Sequence, residues 1–239
     1  MIEGRQLDDL AAAGRLLVAC DFDGTLAPIV DDPDAATALP DSVEALRRLR
    51  DTDNTAVAII SGRKRDELIA RFGDDFVLIG EHGADPGTIP PSDPPSLTLA
   101  RRMVDAAHAE TPGSRTEHKP RSVVFHYRRV DEPDRVVARL RSEGERLDGI
   151  TVLEGKSVLE LTTSSVDKGD ALAELRRIHQ PDRILFLGDD VTDESVFERL
   201  GPDDLGVKVG SGETAAVTRV TGPEDVAQLL RLLADRRGG

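Results

Sequence analysis

Asp21 and Asp23, in Asp21-Phe22-Asp23-Gly24-Thr25, directly follow the apolar run Leu16-Leu17-Val18-Ala19-Cys20. Side chains alternate along an extended chain, so both acids leave the strand on one side and Phe22 on the other. Two carboxylates that close repel unless a cation stands between them, and a hard divalent ion with oxygen ligands, Mg2+ above all, suits them. One carboxylate can then attack an electrophile while the other moves protons. Gly24 and Thr25 permit a tight turn and offer N–H and hydroxyl donors to an anion. The ordinary alternative is an Asp-Gly turn at the end of a strand.

Three further groups weigh against that alternative. Ser61-Gly62-Arg63 follows the run Ala56-Val57-Ala58-Ile59-Ile60, so a hydroxyl and backbone N–H groups meet at a second strand end ahead of a helix. Such a turn is an anion pocket or simply a helix cap. Lys168, in Val166-Asp167-Lys168-Gly169-Asp170, precedes a helical pattern over Ala171 to Ile178; taken alone, a lysine there is ordinarily solvated. Gly188-Asp189-Asp190-Val191-Thr192-Asp193-Glu194 follows the apolar run Ile184 to Leu187. A helix dipole accounts for Asp193 and Glu194 but not for Asp189, which with Asp21 and Asp23 can complete an octahedral Mg2+ site. The combination specifies phosphoryl transfer. Asp21 attacks phosphorus in line, Asp23 protonates the leaving alcohol and then activates water, Ser61 and the turn N–H groups hold phosphate oxygens, and Lys168 with Mg2+ offsets their charge.

The elements that must position these groups are legible as short β-branched runs between helical patterns. Strands are expected at Leu16 to Cys20, Ala56 to Ile60, Phe76 to Gly80, Ile184 to Leu187 and Leu205 to Val209. Helices are expected at Ser42 to Arg50, behind the caps Asp41 and Ser42, and at Arg65 to Phe72. This is an α/β pattern, a Rossmann-like doubly wound parallel sheet. It breaks at Asp85 to Ser96, where five prolines suggest a stiff linker. A helix from Thr98 to Glu110, strands Arg115 to His118 and Ser122 to Arg128, a helix Asp134 to Leu147, and strands Ile150 to Glu154 and Val158 to Thr162 then describe an inserted α+β domain. The expected division is 1–86 with 164–239 for the core and 87–163 for the insert. The insert is a candidate lid, hinged at the Pro-rich linker and at Leu161 to Val166. Gly210-Ser211-Gly212-Glu213-Thr214-Ala215 fits a loose dinucleotide fingerprint, but too little chain follows it for a βαβ unit, and a plain strand-to-helix turn is expected. Gly155-Lys156-Ser157 lacks the spacing and the following helix of a nucleotide loop.

Composition narrows the partners. With 31 Lys and Arg against 45 Asp and Glu, a net charge of -14, the chain is a poor match for nucleic acid or an anionic membrane. A small phosphorylated metabolite is compatible, since local cations can outweigh the global field. Cys20 is the one cysteine, so no internal disulfide forms, and no apolar run is long enough for a membrane span or a secretory signal. A cytoplasmic protein is expected.

Asp21-Phe22-Asp23-Gly24-Thr25-Leu26, Ser61-Gly62-Arg63, Lys168-Gly169 and Gly188 to Glu194 resemble, in order and at matching strand ends, the four signatures of the haloacid dehalogenase superfamily. Glu81-His82-Gly83, Glu117-His118-Lys119, His126-Tyr127-Arg128, Gly155-Lys156 with Glu160, and the Thr192-Asp193-Glu194 ending resemble the finer pattern of trehalose-6-phosphate phosphatases. The resemblance implies a haloacid dehalogenase-like core with an α+β cap domain that reads the sugar, and Mg2+-dependent hydrolysis of trehalose 6-phosphate. It implies Asp21 as nucleophile, and Asp23 as acid and base that also ligates Mg2+ through its carbonyl. Asp189 is then a metal ligand, with Asp190 and Asp193 supporting it. Gly24, Thr25, Gly62 and Arg63 fall to the phosphate, and Glu117, Lys119, Arg128 and Glu160 to the trehalose hydroxyls or the phosphate. A link to a trehalose-phosphate synthase is implied as well. After Glu160 the family usually has Arg-Pro, whereas this chain has Leu161-Thr162-Thr163. Two other readings stay open: a phosphatase of sucrose, mannosylglycerate or glucosylglycerate phosphate on the same core, and a non-catalytic sugar-phosphate sensor.

Overall fold

The computed structural model describes residues 4–83, 95–119, 121–163 and 167–238. Helix α1 (Gly4–Ala11) leads into β1 (Leu16–Cys20), where five apolar residues in a row leave neither face fit for water, and all five are buried. Then come α2 (Pro40–Arg50), β2 (Thr55–Ile60), α3 (Arg65–Phe72) and β3 (Val77–Ile79). The inserted segment supplies α4 (Pro95–Ala109), β4 (Arg115–His118), β5 (Ser122–His126), α5 (Asp134–Gly144), β6 (Thr151–Gly155) and β7 (Val158–Thr162). The first unit resumes with α6 (Lys168–His179), β8 (Arg183–Gly188), the short α7 (Glu194–Phe197), β9 (Leu205–Val209), β10 (Thr218–Val220) and α8 (Pro223–Arg237). Two compact units result, Met1–Ala84 with Asp167–Gly239, and Asp85–Val166. Most of the Pro-rich linker, and the hinge at 164–166, lie outside the described residues.

In the split unit the strand order is β10-β9-β8-β1-β2-β3, and every neighbouring pair is parallel. β1 pairs with β2 on one edge and β8 on the other, so the winding reverses at β1. Open sheets of this kind bind ligands beyond the carboxyl ends of the strands at that reversal. Alternate residues feed two cores. Val18, Cys20, Ile59, Leu187 and Val207 pack with Leu46 and Leu49 of α2 and Leu230 of α8. Leu17, Ala19, Ile60 and Phe186 pack with Leu172 and Leu175 of α6 and Phe197 of α7. Each fully buried Leu or Phe contributes about 1.5–3 kcal/mol, and a slip of one residue would exchange the two sets, so the register that sets the strand ends is firmly held.

The inserted unit is an antiparallel sheet in the order β4-β5-β7-β6. Val123, Phe125, Leu159 and Leu161 on one face pack against Ala100 and Val104 of α4 and Leu140 of α5. Directly opposed residues share a face, so the register lays Glu117, Val124, Glu160 and Leu153 in one row across the other.

Several expected element ends move. Asp41 and Ser42 are not caps: α2 starts earlier, with Leu39 at the N-cap and Pro40 in the first turn, where its fixed φ suits a helix start. The strand expected to reach Arg128 ends at His126, which leaves Arg128 in the following turn. α5 stops at Gly144, short of Leu147, and α4 starts at Pro95, inside the expected linker. The Gly210 loop runs into the strand β10, not into a helix. Gly155-Lys156-Ser157 turns between β6 and β7, with Ser157 at φ 63°.

Candidate active site

Asp21 continues β1 by one residue, its N–H bonding to the carbonyl of Leu187 on β8 at 2.9 Å. Its Oδ1 lies 3.0 Å from the Lys168 ammonium, which also bonds to Asp193 Oδ1 at 2.8 Å. The carboxylate oxygens of Asp21, Asp189 and Asp193 can all lie within 4.8 Å of one another. Lys168 is 2% exposed, so the solvated reading of this lysine is wrong. The cause is local: Asp167 caps α6, accepting from Asp170 N at 2.8 Å while Asp170 Oδ2 accepts from Asp167 N at 3.1 Å. The helix therefore begins at Lys168, not at Ala171, and its first residue points its side chain inward. Asp193 is no dipole-facing surface acid either. Fully buried, it binds Lys168 with one oxygen and the Asp190 N–H with the other at 2.9 Å, while the Asp190 side chain accepts from Val191 N.

Electrostatics follow from this packing. Burial drives the Asp21 carboxyl well above its ordinary range; Lys168 pulls it back, and Asp193, Asp189 and Asp23 push it further up. Burial alone would lower Lys168, but Asp193 and Asp21 outweigh it and hold the ammonium charged. Three buried carboxylates against one buried cation leave excess negative charge, and all the donors are hard oxygens. The set fits a divalent cation such as Mg2+. The Thr25 hydroxyl is fully buried with no hydrogen-bond partner among the described residues, which suits a donor kept for an anion. Gly24, at φ 79°, lets the loops after β1 and β8 meet: a Cβ there would stand 2.1 Å from Asp189 Oδ2.

Asp23 turns elsewhere. Arg63 donates from Nε and Nη2 to its two carboxylate oxygens at 2.8 and 2.7 Å, and from Nη2 to the Pro33 carbonyl at 2.6 Å. The guanidinium also lies 5.0 Å from the Phe22 ring centroid, so Arg63 is fixed on three sides. Sequence reasoning gave Arg63 to the phosphate; its guanidinium donates to Asp23, Pro33 and Glu67. Ser61 is buried beside it, its Oγ accepting from Arg63 N at 3.2 Å.

His82 carries a signal that sequence reasoning quoted but gave no role. Glu81 and His82 both hold positive φ, 52° and 57°, a strained pair for residues with side chains. The turn is stitched to the Ser61 loop by Glu81 N to Arg63 O at 2.9 Å and His82 N to Ser61 O at 3.0 Å. The imidazole then packs on Gly62, where a Cβ would stand 2.6 Å from His82 Cε1. Gly62→Ala is therefore expected to destabilise the protein by about 1–3 kcal/mol through overpacking. His82→Ala in the same chain should return most of that loss, and a denaturation double-mutant cycle without coupling would refute the contact.

In the inserted unit His126 Nε2 lies 3.1 Å from Glu117 Oε2, and Lys119 Nζ lies 3.4 Å from Glu160 Oε1, which also accepts from Ser122 Oγ. Glu117, Lys119 and Glu160 are thus brought to one region of the sheet, whereas Arg128 is exposed beyond the end of β5. Lys208, a cation inside the apolar strand β9, was missed; its placement among Leu205, Val207 and Val209 was the available signal.

Residues 19–228 match the family model described as trehalose-phosphatase. The chain belongs to the trehalose-phosphatase family. It is 35% identical over 246 residues to a trehalose-phosphate phosphatase of Mycobacterium marinum, covering 93% of this chain and 62% of that one. It is also 35% identical over 238 residues to a bifunctional trehalose-6-phosphate synthase/phosphatase of Thermoproteus tenax, covering 94% of this chain and 33% of that one. The chain therefore spans between a third and about three fifths of the length of these relatives. Among solved structures, the C-terminal domain of Candida albicans trehalose-6-phosphate phosphatase superposes with TM-score 0.86 at 27% identity, over 97% of this chain and 96% of that one. Asp21, Ser61, Lys168 and Asp189 all fall within the span matched to the trehalose-phosphatase family.

Proposed function

We propose that this protein hydrolyses trehalose 6-phosphate to trehalose and phosphate through an aspartyl-phosphate on Asp21. The observation that carries the reading is the buried Asp21 held 3.0 Å from Lys168, beside Asp189 and Asp193, at the sheet's reversal point. Asp21 attacks phosphorus, and the bond from phosphorus to the sugar oxygen breaks as Asp23 gives that oxygen a proton. Asp23 then takes a proton from water, which attacks the same phosphorus, releases phosphate and restores Asp21. Lys168 pulls the raised Asp21 carboxyl back toward its ionised form and orients it, and Ser61 with the turn N–H groups holds the phosphate oxygens. Arg63 fixes the plane of Asp23 by its two parallel bonds, while that side chain stays 43% exposed. Asp21, Asp189 and the Asp23 carbonyl would hold Mg2+, which would supply charge compensation for the phosphoryl oxygens. Asp190 and Asp193 support that set.

Recognition of the sugar falls to Glu117, Lys119, Glu160 and Arg128, since charged donors and acceptors left unpaired by a wrong sugar discriminate strongly. A functional link to a trehalose-phosphate synthase belongs to this reading, and the name of the Thermoproteus relative joins the two activities. The buried free thiol of Cys20 supports a reducing, cytoplasmic location. A second reading rests on Leu161-Thr162-Thr163. Leu161 is taken up by the insert's core and Thr163 N bonds to the Arg121 carbonyl at 2.9 Å, so the family's Arg-Pro cation is missing there, which favours another phosphosugar. Phosphate release from trehalose 6-phosphate beside glucose, sucrose and mannosylglycerate phosphates, with Mg2+ and with chelator, tests both. Metal-dependent preference for trehalose 6-phosphate is expected; preference for another ester moves the substrate, and no release from any ends the phosphatase reading.

A further inference from the structure

Asp189, Asp190, Asp193 and Glu194 put four carboxylates into six residues, and the turn that carries them must coil tightly after β8. Like charges at that spacing repel unless cations are built in. Lys168 answers Asp193. The second cation is Lys208, which rises from β9 with its side chain 4% exposed. Its ammonium donates to Glu194 Oε1 at 2.9 Å and to the Asp190 carbonyl at 3.1 Å. The other oxygen of Glu194 accepts from Thr214 Oγ1 at 3.1 Å and Ala215 N at 2.9 Å. The glycine-containing loop after β9, whose sequence resembles a dinucleotide fingerprint, is therefore a strap fastened to the acidic turn.

We infer that Lys208 is a positioning residue for Asp189 and Asp193: by gripping the Asp190 carbonyl and Glu194 it holds the turn so that both acids face Asp21. This rests on the metal reading given under Proposed function. Charge and geometry predict opposite signs when Lys208 is removed. Losing a nearby cation draws Mg2+ in more tightly, whereas losing the grip on the turn weakens its binding.

Thermal-shift titration of the protein with MgCl2 alone reads the difference. Lys208→Met is expected to raise the Mg2+ concentration for half-maximal stabilisation by roughly ten-fold or more, and Lys208→Arg to restore part of it. Where Lys208→Met does not fold, Thr214→Val, which removes one hydrogen bond to Glu194 and no charge, is expected to move the midpoint the same way by roughly three- to five-fold. An unchanged or lower midpoint in these variants overturns the inference and leaves the metal reading standing. A wild-type protein that does not respond to Mg2+ overturns the metal reading and the inference with it.

Discussion

Asp21→Asn is expected to slow phosphate release by ~10^4-fold or more while leaving the melting temperature equal to or above that of the wild type. The two halves of this result have one cause. Asn matches Asp in shape and can still accept from Lys168, but it cannot form the acyl phosphate. The wild-type carboxylate is costly where it stands, because burial disfavours its charge and Asp189, Asp193 and Asp23 repel it. A neutral amide removes that cost, as expected of the proposed nucleophile held against the stability of its surroundings. Turnover within ten-fold of wild type would remove Asp21 from the nucleophile's role. A melting temperature lowered by several degrees would mean that its charge supports the fold.

Lys168→Met should be both inactive and markedly unstable. It leaves the buried carboxylates of Asp21 and Asp193 without their shared ammonium, 3.0 and 2.8 Å away in the wild type. Stranding one partner of a buried ion pair costs about 3–5 kcal/mol. At about 2–4 °C per kcal/mol for a chain of this size, the melting temperature should fall by roughly 6–20 °C. The deficit also has a pH signature. In the wild type Lys168 draws the raised Asp21 carboxyl downward, so its loss raises that group further. A carboxyl whose folded value exceeds its unfolded one binds a proton more readily when folded, so stability rises as pH falls towards the unfolded value. The gap between variant and wild type should therefore narrow from pH 8 to pH 5. A deficit below about 1 kcal/mol, independent of pH, would refute the uncompensated-charge account.

What could be read in the chain depended on how local its cause was. β1 was legible to the residue because an unbroken apolar run between turn residues has one stable use, a strand covered on both faces, and β9 was legible from Leu205, Val207 and Val209 although Lys208 interrupts them. The placement of Asp21 and Asp189 was legible for the same reason, since each directly follows such a strand. Lys168 was ambiguous: the capping box that aims it is local, but Asp21 and Asp193 are brought to it only by the sheet order. Arg63 shows the same limit from the other side. Ser61-Gly62-Arg63 suggests an anion site whatever the anion is, and the fold supplies the carboxylate of Asp23. α1, β10 and α8 went unread because β10 is three residues long and the helices lie outside the motifs.

The position of β1 between β2 and β8 has a consequence for biosynthesis. As the chain emerges from the ribosome, β1, β2 and β3 come first, yet one edge of β1 stays open until Arg183–Gly188 has been made. The inserted unit is contiguous and antiparallel with short connections, so it can close on its own during that wait. The exposed edge beside Asp21 is then a hazard of the nascent chain, open to pairing with another molecule until β8 docks. Chains that stall or are cut within the insert should accumulate as aggregates, not as smaller folded proteins, and Asp21, Lys168 and Asp189 meet only after β8 has been made.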